Sequence, residues 1–479
     1  MAGAFGIDFG TTNSAVVEFI NDRFVNIGDL DGNPFPSVVA IDNLTEKVSC
    51  GREVRDRIIE IREGGEFLVF ESAKTFLAED RREQLGERTI TPEYVATELF
   101  RSLSARAERI AGEPIGEAVV AIPVGMTSEK RASLRKAARA AGIDVQSFVS
   151  EPTAALVSHA DSLRHCKYVA VFDWGGGTLD ISILELQRDC IIERYNIGWD
   201  KAGDHIDKRL AEQIHRRMAD ELSINTAFHS ISPNERQILI NQSERCKRRL
   251  QQQESYDVII GHYADHENLV QSVSQHDFDD LIGGIVSYAI DLLIASVEKA
   301  GLAMKEIGRL IVVGGSSRLS LLQRELKRQW PDFSNIIFPE EAEWDVARGA
   351  AWLAAHPGSY RTAESVGLVL ADGDYYDIFP SGTRLGDAKS RLHFGLVEDS
   401  PTATFLFASK NGTSHQPNHI GELHVEAFGL RDELIYLDTR ISDDLVLEAA
   451  ARSDSKPQDA SRQFGFNNLK WMYEISSEE

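Results

Sequence analysis

Residues 168–182 read Tyr168-Val-Ala-Val-Phe-Asp173-Trp-Gly-Gly-Gly177-Thr-Leu-Asp180-Ile-Ser182. An apolar run is followed by an acid, three consecutive glycines, a threonine and the start of a second apolar run. Apolar runs of this length, bounded by glycine, are typical of buried strands. Three glycines between strands lose backbone entropy on folding, so their presence indicates that another group approaches the backbone closely. Exposed backbone N–H groups in such a turn suit phosphate oxygens.

A second segment repeats this order of features near the start of the chain. Residues 4–12 read Ala4-Phe-Gly-Ile-Asp8-Phe-Gly10-Thr-Thr12, and another apolar run follows. Two such units predict two related lobes that face one ligand. An aspartate at a strand end suits a hydrated Mg²⁺ ion. Neither segment is a Walker loop, because neither contains GxxxxGK[ST].

A third glycine turn lies further along, in Leu310-Ile-Val-Val-Gly314-Gly315-Ser316-Ser317-Arg318. An apolar strand enters a Gly-Gly turn, and a helix follows. A flat adenine could lie on this turn with the guanidinium of Arg318 stacked beside it. Strand and helix patterns alternate as far as residue 355, which predicts an α/β architecture.

The pattern changes after residue 355. Residues 356–364 contain His, Pro, Gly and Ser and are predicted to be a linker. Short alternating runs separated by glycines then extend over residues 365–479, which predicts a small all-β sandwich domain. No helical pattern follows these runs.

Composition excludes several classes of protein. The 479 residues carry 51 Lys and Arg against 75 Asp and Glu, a net charge of −24, and 42% are hydrophobic. A mostly disordered chain would be less apolar, and a general nucleic-acid binder would need clustered basic residues. We expect no membrane span, since no run of about 20 apolar residues occurs, and no signal peptide, since no basic segment precedes an apolar one. The four cysteines are far apart, so the interpretation is a cytoplasmic protein with reduced thiols.

Four motifs together resemble one family. They are residues 6–14, 151–155 (Glu-Pro-Thr-Ala-Ala), 172–182 and 312–318. In this order and spacing, the chain resembles the heat shock protein 70 family of DnaK-type chaperones, within the actin-like ATPase superfamily. The resemblance covers about residues 4–355. It implies an α/β fold, with a two-lobed actin-like ATPase domain over residues 1–355, a linker, and a β-sandwich substrate-binding domain over 365–479 without the family's helical lid.

The resemblance also implies a nucleotide site for ATP or ADP with Mg²⁺, and K⁺ as a further ion. The implied catalytic residues are Lys74, Glu151, Asp173, Thr178 and Asp180, and the implied metal ligands, acting through water, are Asp8 and Asp173. The implied nucleotide contacts are Gly10, Thr11, Thr12, Asn13, Gly175, Gly176, Gly177, Thr178, Gly203, Glu244, Lys247, Arg248, Gly314, Gly315, Ser316 and Arg318. Pro123 and Arg131 fit the family's switch between domains. A solvated helix face is an alternative interpretation of Glu244, Lys247 and Arg248.

The resulting hypothesis is an ATP-dependent chaperone of protein folding and the stress response, with slow, switch-type hydrolysis of ATP to ADP and phosphate. Its partners would be unfolded or extended polypeptides, a co-chaperone and a nucleotide-exchange factor, and neither nucleic acid nor a membrane. An alternative is a nucleotide-dependent scaffold or sensor that binds one dedicated protein. A sugar or acetate kinase of the same superfamily is a third hypothesis, which residues 151–155 and the terminal β domain disfavour.

Overall fold

The computed structural model describes residues 3–163, 165–187, 190–222, 226–261, 263, 269–330, 335–356, 360–396, 400–410, 416–428, 433–455, 462–466 and 469–475. Residues 357–359 of the predicted linker lie outside these ranges, as do parts of the predicted β domain.

The first part of the chain forms most of lobe I. Its elements are β1 (Ala4–Asp8), β2 (Asn13–Ile20), β3 (Arg23–Ile27), β4 (Phe35–Pro36), β5 (Val38–Asp42), β6 (Val48–Cys50), α1 (Arg52–Asp56), α2 (Ile58–Gly64), β7 (Phe67–Glu71), α3 (Ala73–Phe76), β8 (Glu83–Leu85), β9 (Arg88–Ile90), α4 (Pro92–Ala111), β10 (Glu117–Ile122), α5 (Ser128–Ala140), β11 (Asp144–Ser150) and α6 (Glu151–Val157). The central sheet has the strand order β11-β10-β1-β2-β3, with β4 also paired to β2.

The second part forms lobe II and then returns to lobe I. Its elements are α7 (Ala160–Leu163), β12 (Tyr168–Trp174), β13 (Leu179–Leu186), β14 (Cys190–Trp199), α8 (Gly203–Leu222), α9 (Pro233–Leu250), β15 (Ser255–Ile260), β16 (Leu269–Ser274), α10 (Gln275–Lys299), β17 (Ile307–Val313), α11 (Ser320–Gln329), β18 (Ile336–Ile337) and α12 (Ala342–Ala355). Five strands of its sheet have the order β18-β17-β12-β13-β14.

The two sheets have the same topology. In lobe I, β1 pairs parallel to β10 and antiparallel to β2. In lobe II, β12 pairs parallel to β17 and antiparallel to β13. The internal repeat seen in the sequence therefore corresponds to two equivalent sheets, and the predicted α/β class is confirmed.

Helix α12 follows the last strand of lobe II and packs on lobe I. It packs on α6 and β1, and its side chains Val346 and Ala350 are buried in the core of lobe I. The contact with α6 is very close, because a Cβ atom added to Gly349 would lie 1.8 Å from the carbonyl oxygen of Ala154. Glycine at this position allows the two helices to meet.

Helix α10 is the single described helix that is long and apolar enough to cross a membrane by length and composition. Core helices of soluble domains share both properties. In the structure α10 packs on β13 and β14, and Phe278, Ile282 and Leu293 are fully buried. It is a core helix of lobe II.

The third part contains only strands and a short 3-10 turn among its described elements. The strands are β19 (Tyr360–Thr362), β20 (Ser365–Val369), β21 (Tyr375–Phe379), β22 (Lys389–Gly395), β23 (Thr402–Lys410), β24 (Asn418–Glu426), β25 (Leu434–Ile441), β26 (Leu447–Ser453), β27 (Arg462–Phe466) and β28 (Trp471–Glu474). Two four-stranded sheets, β21-β20-β23-β24 and β22-β25-β26-β27, form what we call the β domain.

Two of these strands lie outside the β domain: β28, although its residues fall within the predicted sandwich of 365–479, and β19, whose residues fall within the predicted linker of 356–364. Strand β28 pairs antiparallel with β14, at the edge of the lobe II sheet, and β19 pairs with β28. The aromatic rings of Trp471 and Tyr473 are buried against Tyr360. An unpaired sheet edge offers N–H and C=O groups to any strand with a suitable apolar face, and β28 has one.

Candidate functional site

A cavity of about 500 Å³ lies between the two lobes. The ends of β1 and β12 meet there, each followed by its glycine turn. The cavity is lined by every residue that the sequence analysis placed in the nucleotide site except Asp180. Side chains more than 300 positions apart are therefore brought to one cleft.

The glycine turns that follow β1 and β12, which we call the phosphate-type turns, are in contact with each other. A Cβ atom on Gly176 would lie 2.3 Å from Oγ1 of Thr12, and one on Gly177 would lie 2.6 Å from Oγ1 of Thr11. No larger residue fits at either position while the threonines stay in place. Two hydroxyl groups and the bare backbone of both turns thus face the same space, which suits a polyphosphate chain.

One buried cation stands among the carboxylates of the cleft. The Nζ atom of Lys74 donates to Oε1 of Glu151 at 2.5 Å, and the two side chains are 5% and 12% exposed. Burial lowers the pKa of Lys74, but the neighbouring carboxylates, Glu151 first, outweigh it, and the net pKa is raised. Lys74 therefore stays protonated, and its charge is available to an anion in the cleft.

Asp8 and Asp173 are the acids at the two strand ends. Burial, and then repulsion from Glu151, raises the pKa of Asp8 to about 7. The same two causes raise the pKa of Asp173 well above its ordinary value. Carboxylate oxygens that lie close to other carboxylates suit a hydrated divalent cation, which offsets their repulsion. No group of three or more His, Cys, Asp or Glu within the described ranges could hold a metal directly.

Asp180, which the resemblance implies to be a catalytic residue, does not line the cavity. It lies behind the cavity wall, 1% exposed, and its Oδ1 atom accepts a hydrogen bond from the backbone N–H of Val124 at 2.7 Å. Burial and the charge of Glu151 raise its pKa to about 8. Its carboxylate holds the loop after Pro123 and does not line the cavity, but it lies close enough to Glu151 and Lys74 to interact with their charges.

The opposite end of the cavity has the features of a nucleoside pocket. Lys247 on α9 donates to the carbonyl oxygen of Gly203 at 3.2 Å and to Oδ2 of Asp207 at 2.7 Å. Gly314 has φ of +81°, and a Cβ atom there would lie 2.5 Å from Oδ1 of Asp173. Ser316 donates to the carbonyl oxygen of Gly175 at 3.0 Å. These bonds join the third glycine turn to the second, so the pocket is rigid on one wall.

A salt bridge crosses the cleft from one lobe to the other. Arg55 on α1 donates to Oε2 of Glu244 on α9 at 2.7 Å and to Oε1 of Glu71 at 3.0 Å. Glu244, Lys247 and Arg248 line the cavity, so they are not simply a solvated helix face. Neither Arg55 nor Asp207 was predicted from the sequence. Asp207 lies in the segment Ala-Gly-Asp-His-Ile-Asp, close to Gly203, which was predicted to contact the nucleotide. No motif around Arg55 indicates its role.

Arg131 lies at the contact with the β domain. Its Nη1 atom donates to the carbonyl oxygen of Asp444 at 2.7 Å, and its Nε atom donates to that of Met126 at 3.0 Å. Burial lowers its pKa to about 10. Nearby, Arg135 pairs with the carboxylate of Asp444 at 2.6 Å. Two basic side chains of α5, Arg131 and Arg135, therefore contact the β domain, and Pro123 lies in the loop that precedes this helix.

A family model described as Hsp70 protein matches residues 67–372, more than half of the chain. The chain belongs to the Hsp70 family. Members of the Hsp70 family are generally ATPases of the chaperone class that bind ATP or ADP with Mg²⁺.

The Hsp70 match covers only part of the site. It includes Lys74, Glu151, the second glycine turn and the third. The turn that follows Asp8 precedes the matched residues, and its assignment rests on the equivalent topology of the two sheets. The match ends at residue 372, so nearly all of the β domain lies beyond it.

Proposed function

We propose that this Hsp70-family protein binds ATP in the cleft, hydrolyses it slowly, and uses the nucleotide state to control the binding of unfolded or extended polypeptide. The observation that carries the proposal is the meeting of both phosphate-type turns with the Lys74–Glu151 pair in one cavity.

The residues of the cleft have separate roles in this proposal. Backbone N–H groups and the hydroxyls of Thr11, Thr12 and Thr178 bind the phosphate chain. The ammonium group of Lys74 offsets the charge that develops on the terminal phosphate oxygens, and Glu151 accepts a hydrogen bond from the attacking water and orients it. Mg²⁺, held near Asp8 and Asp173, would supply further charge neutralisation.

Slow turnover follows from the state of Glu151. Its Oε1 atom already accepts a hydrogen bond from Lys74. A carboxylate that already accepts from an ammonium group can still accept from a water and orient it, and catalysis by positioning alone gives slow turnover. Slow hydrolysis suits a protein whose two nucleotide states must each last long enough to change a partner's affinity.

The substitution Lys74→Ala tests the hydrolytic part. We expect ATP binding to be retained and turnover to fall by about 100- to 1,000-fold, as for loss of one preorganised donor. Lys136→Ala, at an exposed position on α5, is the control. Because removing Lys74 leaves buried carboxylates without their cation, Lys74→Arg is a second variant that keeps the charge. Unchanged turnover in both Lys74 variants would refute the assigned role.

The polypeptide part is tested by release of a fluorescent, unfolded apolar peptide. We expect dissociation from the ADP-bound protein to accelerate when ATP is added. Binding without an ATP response would mean that the β domain and the ATPase act separately.

A scaffold that binds one dedicated protein is the second candidate. The observation that favours it is the firm attachment of the β domain through Arg131, Arg135 and β28. Under this hypothesis generic unfolded peptides would not bind at all, in either nucleotide state.

A further inference from the structure

Glu193 is a buried carboxylate that the proposed mechanism does not use. It is 2% exposed and lies between the first turn of α6 and strand β28. Its Oε1 atom accepts hydrogen bonds from Oγ1 of Thr153 at 2.7 Å and Oγ of Ser150 at 3.1 Å. An acid buried this completely is rare unless its bonds are satisfied.

The other bonds of Glu193 reach β28. Its Oε2 atom accepts from the backbone N–H of Trp471 at 3.2 Å, and Oε1 accepts from the hydroxyl of Tyr473 at 3.3 Å. Asn196 donates to Oε2 at 3.2 Å. The carboxylate of Glu193 thus bonds both to helix α6 of lobe I and to β28, the last described strand.

Strand alternation places Glu193 on the buried side of β14, because Ile191 and Glu193 are buried whereas Ile192 between them is only partly so. A bulge follows directly after Glu193. The pairing of β13 with β14 shifts register so that Ile183 faces Tyr195 and Leu184 faces Glu193, which leaves Arg194 as an extra residue. Such a bulge can end a strand pair. The ladder between β14 and β28 does end there, at Ile192 and Met472, and the carboxylate of Glu193 takes up the next N–H group, that of Trp471.

Ser150 and Thr153 enclose Glu151 in the sequence and in space. Ser150 is the N-cap residue of α6, and its side chain accepts a bond from the N–H of Thr153. Glu151 is the first residue of this helix, and its carboxylate meets Lys74. Whatever shifts the first turn of α6 therefore shifts the group that orients the attacking water.

Strand β28 is in turn tied to the residues that lead into the β domain. Lys470 pairs with Glu364 at 2.7 Å, and Arg361 on β19 pairs with Glu474 at 2.5 Å. A displacement of the β domain is thereby transmitted to β28 and to the donors of Glu193.

We propose that Glu193 is a positioning residue for ATP hydrolysis, through which the docking of β28 sets the orientation of Glu151. The inference rests on the proposed hydrolytic function. A change in the rate of the chemical step without a change in ATP binding distinguishes this positioning role from a purely structural one.

The test uses the full chain with Glu193→Leu, Glu193→Gln and Tyr473→Phe. We expect Glu193→Leu to lower kcat for ATP by about 10-fold with KM changed less than about 2-fold, since positioning is lost in the hydrolytic step and not in nucleotide binding. Glu193→Gln keeps an acceptor for the N–H of Trp471, and its amide can donate to the hydroxyls of Ser150 and Thr153. The variant Glu193→Gln should therefore recover most of kcat. The kcat of Tyr473→Phe should lie between those of Glu193→Gln and Glu193→Leu.

Glu18→Leu is the matched control, because Glu18 is a similarly buried acid, 4% exposed, on β2 of the other sheet. Hydrogen exchange of residues 150–157 is measured in parallel without nucleotide. Faster exchange in Glu193→Leu and Tyr473→Phe, but not in Glu18→Leu, supports the link between β28 and α6. Unchanged kcat in Glu193→Leu, or an equal loss in Glu18→Leu, overturns the proposal.

The exchange measurement separates two failures. If the wild-type protein does not hydrolyse ATP, the proposed function fails and the positioning role fails with it, while the exchange result still reports whether β28 holds α6. If hydrolysis occurs but neither kcat nor exchange responds to Glu193→Leu, only the positioning role fails.

Discussion

The salt bridge between Arg55 and Glu244 closes the mouth of the cleft, and its removal should release nucleotide faster. Arg55 does not line the cavity, so the substitution Arg55→Ala leaves the binding surface intact. It removes the bond across the lobes, whereas Glu71 keeps a second partner in Arg62 at 2.6 Å. The substitution therefore acts on closure of the cleft and not on the packing of lobe I.

The size of the effect follows from the exposure of the pair. The side chains of Arg55 and Glu244 are 22% and 18% exposed, and their charged atoms are 2.7 Å apart. Burial raises the pKa of Glu244, but Arg55 and the neighbouring cations outweigh it and hold the pKa below its ordinary value. Fully exposed pairs contribute about 0 to 1 kcal/mol, and hydrogen bonds to charged groups about 1.5 to 3 kcal/mol. For this partly buried pair we take a contribution of about 1 to 2 kcal/mol to holding the lobes together, which corresponds to a factor of about 5 to 30 in the rate of nucleotide release.

The assay is the dissociation of a fluorescent ATP analogue, followed in a stopped-flow instrument after mixing with excess unlabelled ATP. Arg57→Ala is the matched control, because Arg57 lies next to α1 and pairs only with exposed Glu60 among its described contacts. We expect release to accelerate about 5- to 30-fold in Arg55→Ala and to stay at the wild-type rate in Arg57→Ala. High salt should reduce the difference. Equal release rates in both variants at low salt would refute the view that this bridge holds the lobes together.

Three further changes test the cleft and its frame. Gly176→Ala places a Cβ atom 2.3 Å from Oγ1 of Thr12, so ATP affinity measured by calorimetry should fall at least about 10-fold, or about 1.4 kcal/mol. Burial raises the pKa of Asp207 to about 7, so the stability that its protonated form contributes is present near pH 4 and is lost as pH rises through about 7. The substitution Asp207→Asn should therefore flatten the fall in Tm of the nucleotide-free protein over that pH range. Parallel curves of Tm against pH for the variant and the wild type would contradict this. Gly349→Ala drives a Cβ atom to 1.8 Å from the carbonyl oxygen of Ala154 and should lower the free energy of unfolding by about 3 kcal/mol, measured in urea.

Much of the cleft could be predicted because its signals are local. Each glycine turn is contained in fewer than ten residues, and the bare backbone that a ligand needs is visible as a run of glycines. Local capping follows the same rule: α5 begins at Ser128, and the side chain of Thr127 accepts a hydrogen bond from the N–H of Lys130 at 3.4 Å. Hydrogen bonds between neighbours in the sequence fix these features before any packing occurs.

The errors and omissions share a different cause, namely pairing over long distances in the chain. The alternation of Trp471 and Tyr473 indicates a strand, but nothing nearby shows that its partner is β14, about 280 positions earlier. The side chain of Glu193 looks like a surface charge in the sequence, although it shares the buried face of β14 with Ile191, and nothing nearby shows that its partners lie on α6 and β28. Likewise, no local signal shows that the carboxylate of Asp180 accepts a hydrogen bond from the N–H of Val124.

The attachment of β28 limits how nucleotide can act on the β domain. Detachment of β28 and β19 from lobe II would expose Tyr360, Trp471 and Tyr473, and burying a large side chain contributes about 1.5 to 3 kcal/mol. The three rings together therefore amount to about 6 kcal/mol, before any of the ion pairs are counted. A ligand shifts an equilibrium only by its difference in affinity for the two states, and typical couplings are about 1 to 3 kcal/mol. Nucleotide binding of that strength cannot undock β28 outright. It can move the first turn of α6 while β28 stays paired, and Glu193 is the group that joins the two.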